Sequence, residues 1–523
     1  MLERTNWQQA AAIGTVNGLT VAPVPFAYFA SGDLSAADAR DDGSSAHGEN
    51  LTLGLGLKPR HDIGLFGFVT DTDMTTSLRT SSLPDDRFTQ KEGRGDLGIN
   101  FKARPDNQFW LKAGDGRQRN TISGAFVSQG TADALNDALA TTIFTPSGLL
   151  DRFHSEITQD DIQFRHAFSA WSTQWAWGAE RSRQDRSGQL ETTFTPARLA
   201  IDERYSVEAT EAYVSGRFQT PGAWAAQADL FSQHVRTRRD DLQTLDLLAP
   251  PMGFVLVDGA QEENYSEINP RIGLKWELGE MQSLRLVGQQ WRRPASAGTL
   301  SQVDTLGIQV NDKLPTAGGF YERLRLQYDW EAKRTAFIQA FVDHEQIDNG
   351  LGGQRTAITG FEVTQLDSLR NRTEVFSPKS DLENTPVFVE GEVSTFGLAA
   401  NALVSDRQTL SASYLLRDSR QTEANDDCLI PYVPHDYLQL GSQWSLPHRW
   451  LLGSSAVYRS QRYRDDTNLD PIKAGWSFGF TAYWETVDKK SSVQAIIDNL
   501  LLDSESADTQ SDPHLMLRYT YRF

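Results

Sequence analysis

The sequence predicts an all-β protein, a closed antiparallel transmembrane β-barrel of about 20–22 strands with short periplasmic turns and long extracellular loops. Three observations predict this fold. Apolar and polar residues alternate along much of the chain, tight-turn residues separate paired stretches, and no apolar run approaches the ~18 residues that a spanning helix needs. A mean hydropathy of −0.47 with 40 glycines and 13 tryptophans suits strands that are half polar and carry aromatic residues near their ends.

The first residues precede any clear alternation. We expect 1–18 to be a periplasmic lead-in and 19–523 to be the barrel. The first strand candidate is 19–30 (LTVAPVPFAYFA), where two prolines are tolerated only at an edge or a bulge. No basic segment followed by an apolar core comes after Met1, so no signal peptide is visible. The numbering is therefore expected to begin after a removed leader or inside a longer parent chain.

Tight turns are predicted where Pro, Asp, Asn or Gly separate two alternating stretches, because these residues favour chain reversal. The reversal near Ala170 is the least clearly marked. The other predicted turns are at 58–61, 104–107, 220–222, 277–280, 331–333, 405–407, 446–448 and 487–489.

The connections at the opposite end of the strands are long and rich in Asp, Ser, Gly and Thr, as extracellular loops of outer-membrane barrels are. Counting the hairpins between them gives about 20 strands, and one more hairpin inside 348–386 would give about 22. The predicted loops are 31–48, 71–94, 120–159, 183–203, 236–263, 292–319, 348–386, 420–434 and 462–473.

The last ten residues, HLMLRYTYRF, show the alternation most clearly. Their polar side would face a wet lumen and their apolar side would face lipid. The ending resembles the terminal strand of Gram-negative outer-membrane barrels, and this resemblance implies that the barrel-assembly machinery reads its apolar side. That side consists of Leu515, Leu517, Tyr519, Tyr521 and Phe523.

Internal stretches repeat the pattern. Residues 323–330 and 476–485 each place Leu, Phe, Tyr or Trp on one face and polar residues on the other. The alternative is a soluble all-β protein such as a propeller, whose apolar faces bury one another. A propeller would show a repeat of about 40–50 residues, and the chain shows hairpin spacing without repeated sequence.

Three segments carry a narrower resemblance, namely 291–300 (WRRPASAGTL), 343–349 (DHEQIDN) and 430–435 (IPYVPH). They resemble barrels of the TonB-dependent receptor type, and equally the barrels of tetratricopeptide-repeat outer-membrane proteins such as exopolysaccharide-export porins. The resemblance implies a bacterial outer-membrane location. It also implies lipid and lipopolysaccharide as surroundings and a plug, repeat-domain or periplasmic partner. This sequence contains no plug domain, energy-coupling box or helical repeat of about 34 residues, although a parent chain could carry them.

The polar faces supply candidates for the lumen wall. Mixed charges are the default there, since a wet wall needs its charges solvated or paired, and ladders of salt bridges are favoured over a solute-binding role. Two inserts, 121–151 and 348–386, are candidates to fold into the lumen, with packing above the membrane as the alternative. The lumen-lining candidates are Arg165, Arg285, Arg323, Arg325, Arg417, Arg459, Arg518, Arg522, Glu208, Asp229, Asp329 and Glu485.

Several function classes fit poorly. A net charge of −19 argues against nucleic acid as a partner, and the single cysteine, Cys428, rules out a disulfide framework or a cysteine zinc site. The nine histidines show no metal-ligand spacing, and no nucleophile elbow or phosphate loop is present, so we expect no metal, no cofactor and no enzyme activity. A hydrolase at the barrel rim built on His344 remains a third class, although no serine lies close to it in the sequence.

The sequence thus predicts an outer-membrane channel or transporter that passes a solute, polymer or polypeptide. The alternative is a sealed outer-membrane scaffold or surface receptor whose acidic loops bind a partner. Conductance across a planar bilayer distinguishes the two, because only an open lumen carries current.

Overall fold

The computed structural model describes residues 4–16, 26–38, 45–80, 83–124, 142, 145–146, 151–220, 223–248, 251–295, 299–311, 313–332, 335–354, 388–422, 428–463, 466–469, 471–501 and 514–521. Most of these residues are in β-strands. Helical structure there is limited to one turn, Gly350–Gly353, and a 3₁₀ turn, Pro447–Arg449, neither of them long and apolar enough to cross a membrane. The strands are β1 (Arg4–Val16), β2 (Phe26–Asp38), β3 (Ser45–Arg60), β4 (Ile63–Thr80), β5 (Leu83–Arg104), β6 (Asn107–Gly124), β7 (Thr145–Pro146), β8 (Asp151–Ala170), β9 (Thr173–Thr195), β10 (Ala197–Gln219), β11 (Trp224–Leu248), β12 (Pro251–Gly279), β13 (Gln282–Arg292), β14 (Asp304–Thr305), β15 (Ile308–Gln309), β16 (Phe320–Ala332), β17 (Ala336–Asp348), β18 (Glu390–Ser405), β19 (Gln408–Gln421), β20 (Asp436–Leu446), β21 (Trp450–Arg459), β22 (Arg462–Tyr463), β23 (Pro471–Ile472), β24 (Gly475–Glu485), β25 (Ser491–Leu501) and β26 (His514–Tyr521).

One sheet of 22 strands forms the wall. Each long strand pairs antiparallel with the next long strand in the chain, and the two-residue β7 adds to β9. The last strand, β26, lies beside the first, β1, so the sheet returns to its own beginning as a barrel wall does. The small pairs β14–β15 and β22–β23 lie outside this sheet. The predicted antiparallel barrel is confirmed.

Tight turns join the strands at one end of the wall, where the sequence predicts them. The reversal near Ala170 is a two-residue turn in which Trp171 and Ser172 both have positive φ, at 52° and 61°. Positive φ at both central positions is the geometry that matches the twist of a two-residue hairpin. Because neither residue is Gly, Asn or Asp, the sequence marks this turn weakly.

The outward face of the wall carries an apolar belt. Leu324 is 60% exposed and Ile268 is 67% exposed, an arrangement that lipid accommodates and water does not. At the end of the strands nearest the short turns, Trp224 and Trp276 of β11 and β12 stack outward with ring centres 5.2 Å apart. Aromatic rings at that level are typical of the membrane–water interface.

The inward face is polar, and β16 shows the alternation in full. Arg323, Gln327 and Asp329 are buried on the inner face, at 7%, 3% and 6% exposure. Their neighbours Leu324 and Leu326 point outward and are exposed. The assignment of faces that the alternation predicts is confirmed for this strand.

Four of the predicted long loops are wrong, since 31–48, 71–94, 183–203 and 236–263 consist largely of strand. They are the far halves of four hairpins whose ladders continue far beyond the predicted strand ends, in β2–β3, β4–β5, β9–β10 and β11–β12. Here the outer face is polar, and on β9 and β10 apolar residues such as Leu190 and Leu199 are buried on the inner face, so the alternation that marks a membrane-level strand is lost or reversed. Cross-strand ion pairs on the outer face, such as Arg236–Glu262 at 2.7 Å, hold these extensions beyond the apolar belt.

The two ends of the chain contribute the strands β1 and β26, which lie side by side in the wall. Residues 4–16, within the expected lead-in, form β1 and pair with β2. Of the first strand candidate, 26–30 belong to β2 and the rest lies outside the described residues. In β26, Leu517 pairs with Ala495 and Tyr519 with Val493, which puts them in register with the outward positions of β25. Leu515 and Tyr521 belong to the same strand, and Phe523 lies outside the described residues.

Candidate functional site in the barrel lumen

Most of the predicted lumen-lining residues occupy inward positions of the wall. They alternate with outward apolar residues, and the ones buried most deeply are paired with other inward side chains. The predicted residues at inward positions are Arg165, Arg285, Arg323, Arg325, Arg417, Arg459, Asp229, Asp329 and Glu485.

The other three predicted lumen-lining residues are Glu208, Arg518 and Arg522, and the structure does not place their side chains in the lumen. Glu208 lies on the outer face of β10, where it forms an exposed ion pair with Arg181 of β9 at 2.5 Å, so its assignment to the lumen is corrected. Beside Glu208 the inner face of β10 carries the buried Val207 and Ala209, and the outer face is polar, so the rule that polar residues face the lumen is reversed at this level. Arg518 pairs with Gln494 in the ladder, at an inward register position. Arg522 lies outside the described residues.

The connection between β13 and β16 folds into the lumen. We call its described middle part, Thr299–Asn311, the lumenal hairpin; it contains β14 and β15 around the turn at Gly307, where φ is +83°. At its start, the Leu300 N–H donates to Gln163 Oε1 at 2.6 Å, and the Leu300 carbonyl accepts from Arg165 at 2.8 Å. These contacts join β8 to a segment 137 residues away, across the inside of the barrel.

Two glutamines hold the tip of the lumenal hairpin. Gln227 of β11 donates from Nε2 to the Asp304 carbonyl at 2.9 Å and accepts the Leu306 N–H at 3.0 Å. Gln289 of β13 donates from Nε2 to the Ile308 carbonyl at 3.0 Å, with Thr305 Oγ1 at 3.2 Å. Together the two amides bond β14, the turn and β15, which fixes the register of the hairpin against the wall.

Arginines of the wall bind further carbonyls of the lumenal hairpin. Arg271, which is 1% exposed and lies 4.0 Å from the ring centre of Phe231, donates to the Gln302 carbonyl at 2.5 Å. Arg285 donates to the Leu306 carbonyl at 3.2 Å, and Arg323 to the Gln309 carbonyl at 3.1 Å. Since charged donors make the stronger hydrogen bonds, these contacts place the hairpin along one side of the lumen and contribute more to its docking than neutral contacts do.

Sequence reasoning expects an inward insert at 121–151 or 348–386, and it misses the lumenal hairpin. Those two segments lie mostly outside the described residues. A usable signal is present within 299–311, where Leu306 and Ile308 flank a glycine inside a connection that reads as polar. Both side chains are buried, at 3% and 4% exposure, as an element packed against a wall requires.

A charged network continues from the hairpin along β16 and β17. Arg323 bonds Asp343 and lies 3.4 Å from Glu345, and Arg325 lies 3.5 Å from Asp343. Tyr321 donates its hydroxyl to Glu345 at 2.9 Å. These contacts are the salt-bridge ladder that a wet wall is expected to contain, and they stiffen the pairing of the two strands.

Arg417 and Arg459 are held differently. Their guanidinium carbons lie 6.0 Å and 5.8 Å from the ring centre of Tyr437, which faces the lumen between them on β20. All three side chains are half-buried.

A cavity of about 1200 Å³ lies along the opposite side of the lumen, toward the short turns. Its wall is formed by β16 to β25 and consists mainly of small or uncharged polar residues, among them Ser411, Gln439, Gly453 and Thr481. Among the described residues, the lumen therefore has a side covered by the lumenal hairpin and a side lined by this cavity.

On the outer face, the structure brings a serine of the next strand to His344. His344 Nδ1 lies 3.0 Å from Ser394 Oγ of β18, and His344 Nε2 lies 3.9 Å from Glu392. His234 makes the same cross-strand contact with Ser266, at 2.8 Å. A serine and a histidine in register on neighbouring strands account for both contacts, and the expectation of no enzyme activity stays a prediction.

Comparison with known proteins decides the family. The family model described as "TonB dependent receptor-like, beta-barrel" matches residues 38–500. The chain belongs to the TonB-dependent receptor-like β-barrel family. Of the two families that the sequence resembles, this one is confirmed, and with it the bacterial outer-membrane location. This family consists of outer-membrane transporters and receptors, so this barrel serves transport across that membrane in general.

Solved structures of low sequence identity share the fold. The ferric yersiniabactin uptake receptor FyuA from Yersinia pestis has a TM-score of 0.63 at 12% identity, over 91% of this chain and 72% of that chain. The siderophore receptor PiuA from Acinetobacter baumannii has a TM-score of 0.60 at 12% identity, over 94% and 77% of the two chains. The copper transporter OprC has a TM-score of 0.61 at 10% identity, over 95% and 76%. None of the curated proteins matches the sequence significantly.

Proposed function

We propose that this TonB-dependent receptor-like barrel passes a solute through its lumen along the side formed by β18 to β25, and that the lumenal hairpin gates the passage. The observation that carries the proposal is the division of the lumen. The described hairpin contacts wall residues from β8 to β17, and the cavity of about 1200 Å³ lies beside it.

The type of contact supports a gate. The lumenal hairpin is joined to the wall mainly by hydrogen bonds between its backbone and side chains of the wall, such as those of Gln163, Gln227 and Gln289. Water in the lumen can replace such bonds, each worth about 0.5–1.5 kcal/mol net, so the docked state can exchange with an undocked one. An element meant only to seal the barrel would be expected to bury a larger apolar surface.

A disulfide tether tests the gate. A Cβ at Gly273 of β12 would lie 2.8 Å from Thr305 Cγ2, which places the two Cβ atoms about 4 Å apart, within disulfide range. The variant Gly273→Cys with Thr305→Cys, in a Cys428→Ser background, should show at least tenfold fewer stepwise openings in planar bilayers when oxidised. A reductant should restore them, and each single-cysteine variant serves as the control.

Two results would count against the gate. Equal conductance in the oxidised and reduced states would show that the hairpin does not control the path. Silent bilayers for every variant would favour the sealed scaffold or surface receptor.

Two partners follow from the family and the end of the chain. We propose that the barrel-assembly machinery reads the apolar side of β26, and that a periplasmic partner supplies energy for transport. Replacing Phe523 with Ser should lower the amount of heat-modifiable, folded barrel in the outer membrane, while an unchanged amount would contradict the assembly role.

A further inference from the structure

Arg417 and Arg459 flank Tyr437 without a carboxylate partner. Within the described part of the chain, neither forms an ion pair, although both lie close to the same ring. Guanidinium groups held beside an aromatic ring keep their donors free for a ligand while the ring limits their motion. We call these three residues the mouth site, because they lie where β20 begins and β21 ends, at the end of the wall away from the short turns.

The nearest acidic groups of the wall are already engaged. Asp343 pairs with Arg323 and Arg325. Glu345 accepts the Tyr321 hydroxyl at 2.9 Å and the Asn311 side-chain amide at 3.1 Å. Turning either carboxylate toward Arg417 would break these contacts, so the mouth site keeps its positive charge.

The charge balance of this sector is unlike that of the whole molecule. Toward the end of the wall away from the short turns, four inward arginines of β16, β19 and β21 accompany two inward carboxylates of β17. The arginines are Arg323, Arg325, Arg417 and Arg459, and the carboxylates are Asp343 and Glu345, while the inward Asp329 and Glu485 lie nearer the short turns. The chain as a whole has a net charge of −19. A positive patch inside an acidic protein draws anions toward one place.

The mouth site lies directly above the cavity on the same strands. Ser411 of β19 and Gln439 of β20, which line the cavity, follow the mouth-site residues toward the short turns. An anion held at the mouth site would therefore stand at the entrance of the open side of the lumen.

We propose that the mouth site binds an anionic solute that carries two or more carboxylate or phosphate groups. Because both guanidinium carbons lie within 6.0 Å of one ring centre, they are at most about 12 Å apart, which limits the separation of the two anionic groups. This proposal rests on the proposed function and names the class of solute.

Calorimetric titration of the purified full chain in detergent tests the site. The probes are benzene-1,3,5-tricarboxylate for carboxylates and pyrophosphate for phosphates, with maltotriose as a neutral control. Arg417→Gln with Arg459→Gln should weaken binding of the better anionic probe at least tenfold. Arg420→Gln is the matched control, since Arg420 is on the same strand but on the outer face, paired with Glu392. Arg420→Gln should leave the affinity for that anionic probe within about twofold of the affinity of the original chain.

Two variants of the ring separate binding from folding. Tyr437→Phe keeps the ring and should bind nearly as well as the original chain, whereas Tyr437→Leu should bind clearly more weakly. Heat-modifiable mobility on gels shows that each variant is a folded barrel.

The outcomes distinguish this proposal from the gate. If the tether closes the channel but neither anion binds, or if maltotriose binds equally well, the proposal of the mouth site is wrong and the proposal of the gate stands. Equal affinities in the Arg417–Arg459 double variant and in Arg420→Gln would overturn it too. If bilayers stay silent for every variant and the anions still bind through the two arginines, transport fails and the mouth site survives as a receptor site.

Discussion

Releasing the tip of the lumenal hairpin should open the barrel. The double substitution Gln227→Ala with Gln289→Ala removes the hydrogen bonds to the Asp304 and Ile308 carbonyls and to the Leu306 N–H. At about 1 kcal/mol for each bond, less where lumen water replaces it, docking of the hairpin should weaken by about 2–4 kcal/mol. That is a factor of about 30 to 1000 in the population of the undocked state.

Chemical labelling measures this population directly. Ile308 is 4% exposed in the docked hairpin, so a cysteine at 308, in a Cys428→Ser background, should react slowly with a membrane-impermeant maleimide. The glutamine double variant should raise the labelling rate by at least tenfold, and it should raise the open probability in planar bilayers in parallel.

The control and the contrary result are both specific. Gln443→Ala removes an amide that lines the cavity and not the hairpin, and it should change neither the labelling rate nor the open probability. If the glutamine double variant changes neither the labelling rate nor the open probability, the hairpin is held by its arginine contacts and apolar packing, and the reasoning from these three bonds is wrong.

Two further predictions concern the wall. Leu324→Arg puts a charge into the apolar belt, and it should lower the free energy of unfolding in urea by about 2–4 kcal/mol. Glu322→Arg is the control, since Glu322 lies on the same face nearer the extracellular end, and it should have little effect on this free energy. Asp343→Ala leaves two buried arginines without their shared partner and should cost about 3–5 kcal/mol in the same measurement. A loss below about 1 kcal/mol for Asp343→Ala would show that lumen water solvates those arginines.

The membrane-level part of the wall was predictable because its rule is local. In β16 the inward Arg323 and the outward Leu324 differ in the solvent they meet, and a strand reverses the direction of its side chains at every residue. The same rule fails above the apolar belt, where the outer face meets water and the inner face of β10 carries the buried Val207 and Ala209. Glu208 is therefore placed on the wrong face by sequence alone. The far halves of β11 and β12 read as loops, although their ladder runs from Trp224 to Leu248 with one bulge after Gln243.

The lumenal hairpin was not predictable for a different reason. Its contacts join residues that are far apart in the chain, as with Gln163 and Leu300 at a separation of 137 residues. No periodicity records which connection of a barrel turns inward, because that choice depends on which inner side chains meet across the lumen. The mouth site was not predictable for the same reason. The sequence identifies Arg417 and Arg459 as lumen-lining candidates, but only the register of β19, β20 and β21 brings them to Tyr437.

The two sides of the lumen impose a route. The hairpin takes up the donors of β8 to β16, so a solute that followed that side would have to break several charged hydrogen bonds at once. Along β18 to β25 the side chains that line the cavity are mostly small or uncharged, Arg417 and Arg459 lie at the entrance, and Glu485 lies near the short turns. An anion captured there leaves strong contacts for weak ones as it moves inward. Passage therefore requires that binding at the mouth site be moderate, because a solute held too tightly at the entrance would block the path that the cavity provides.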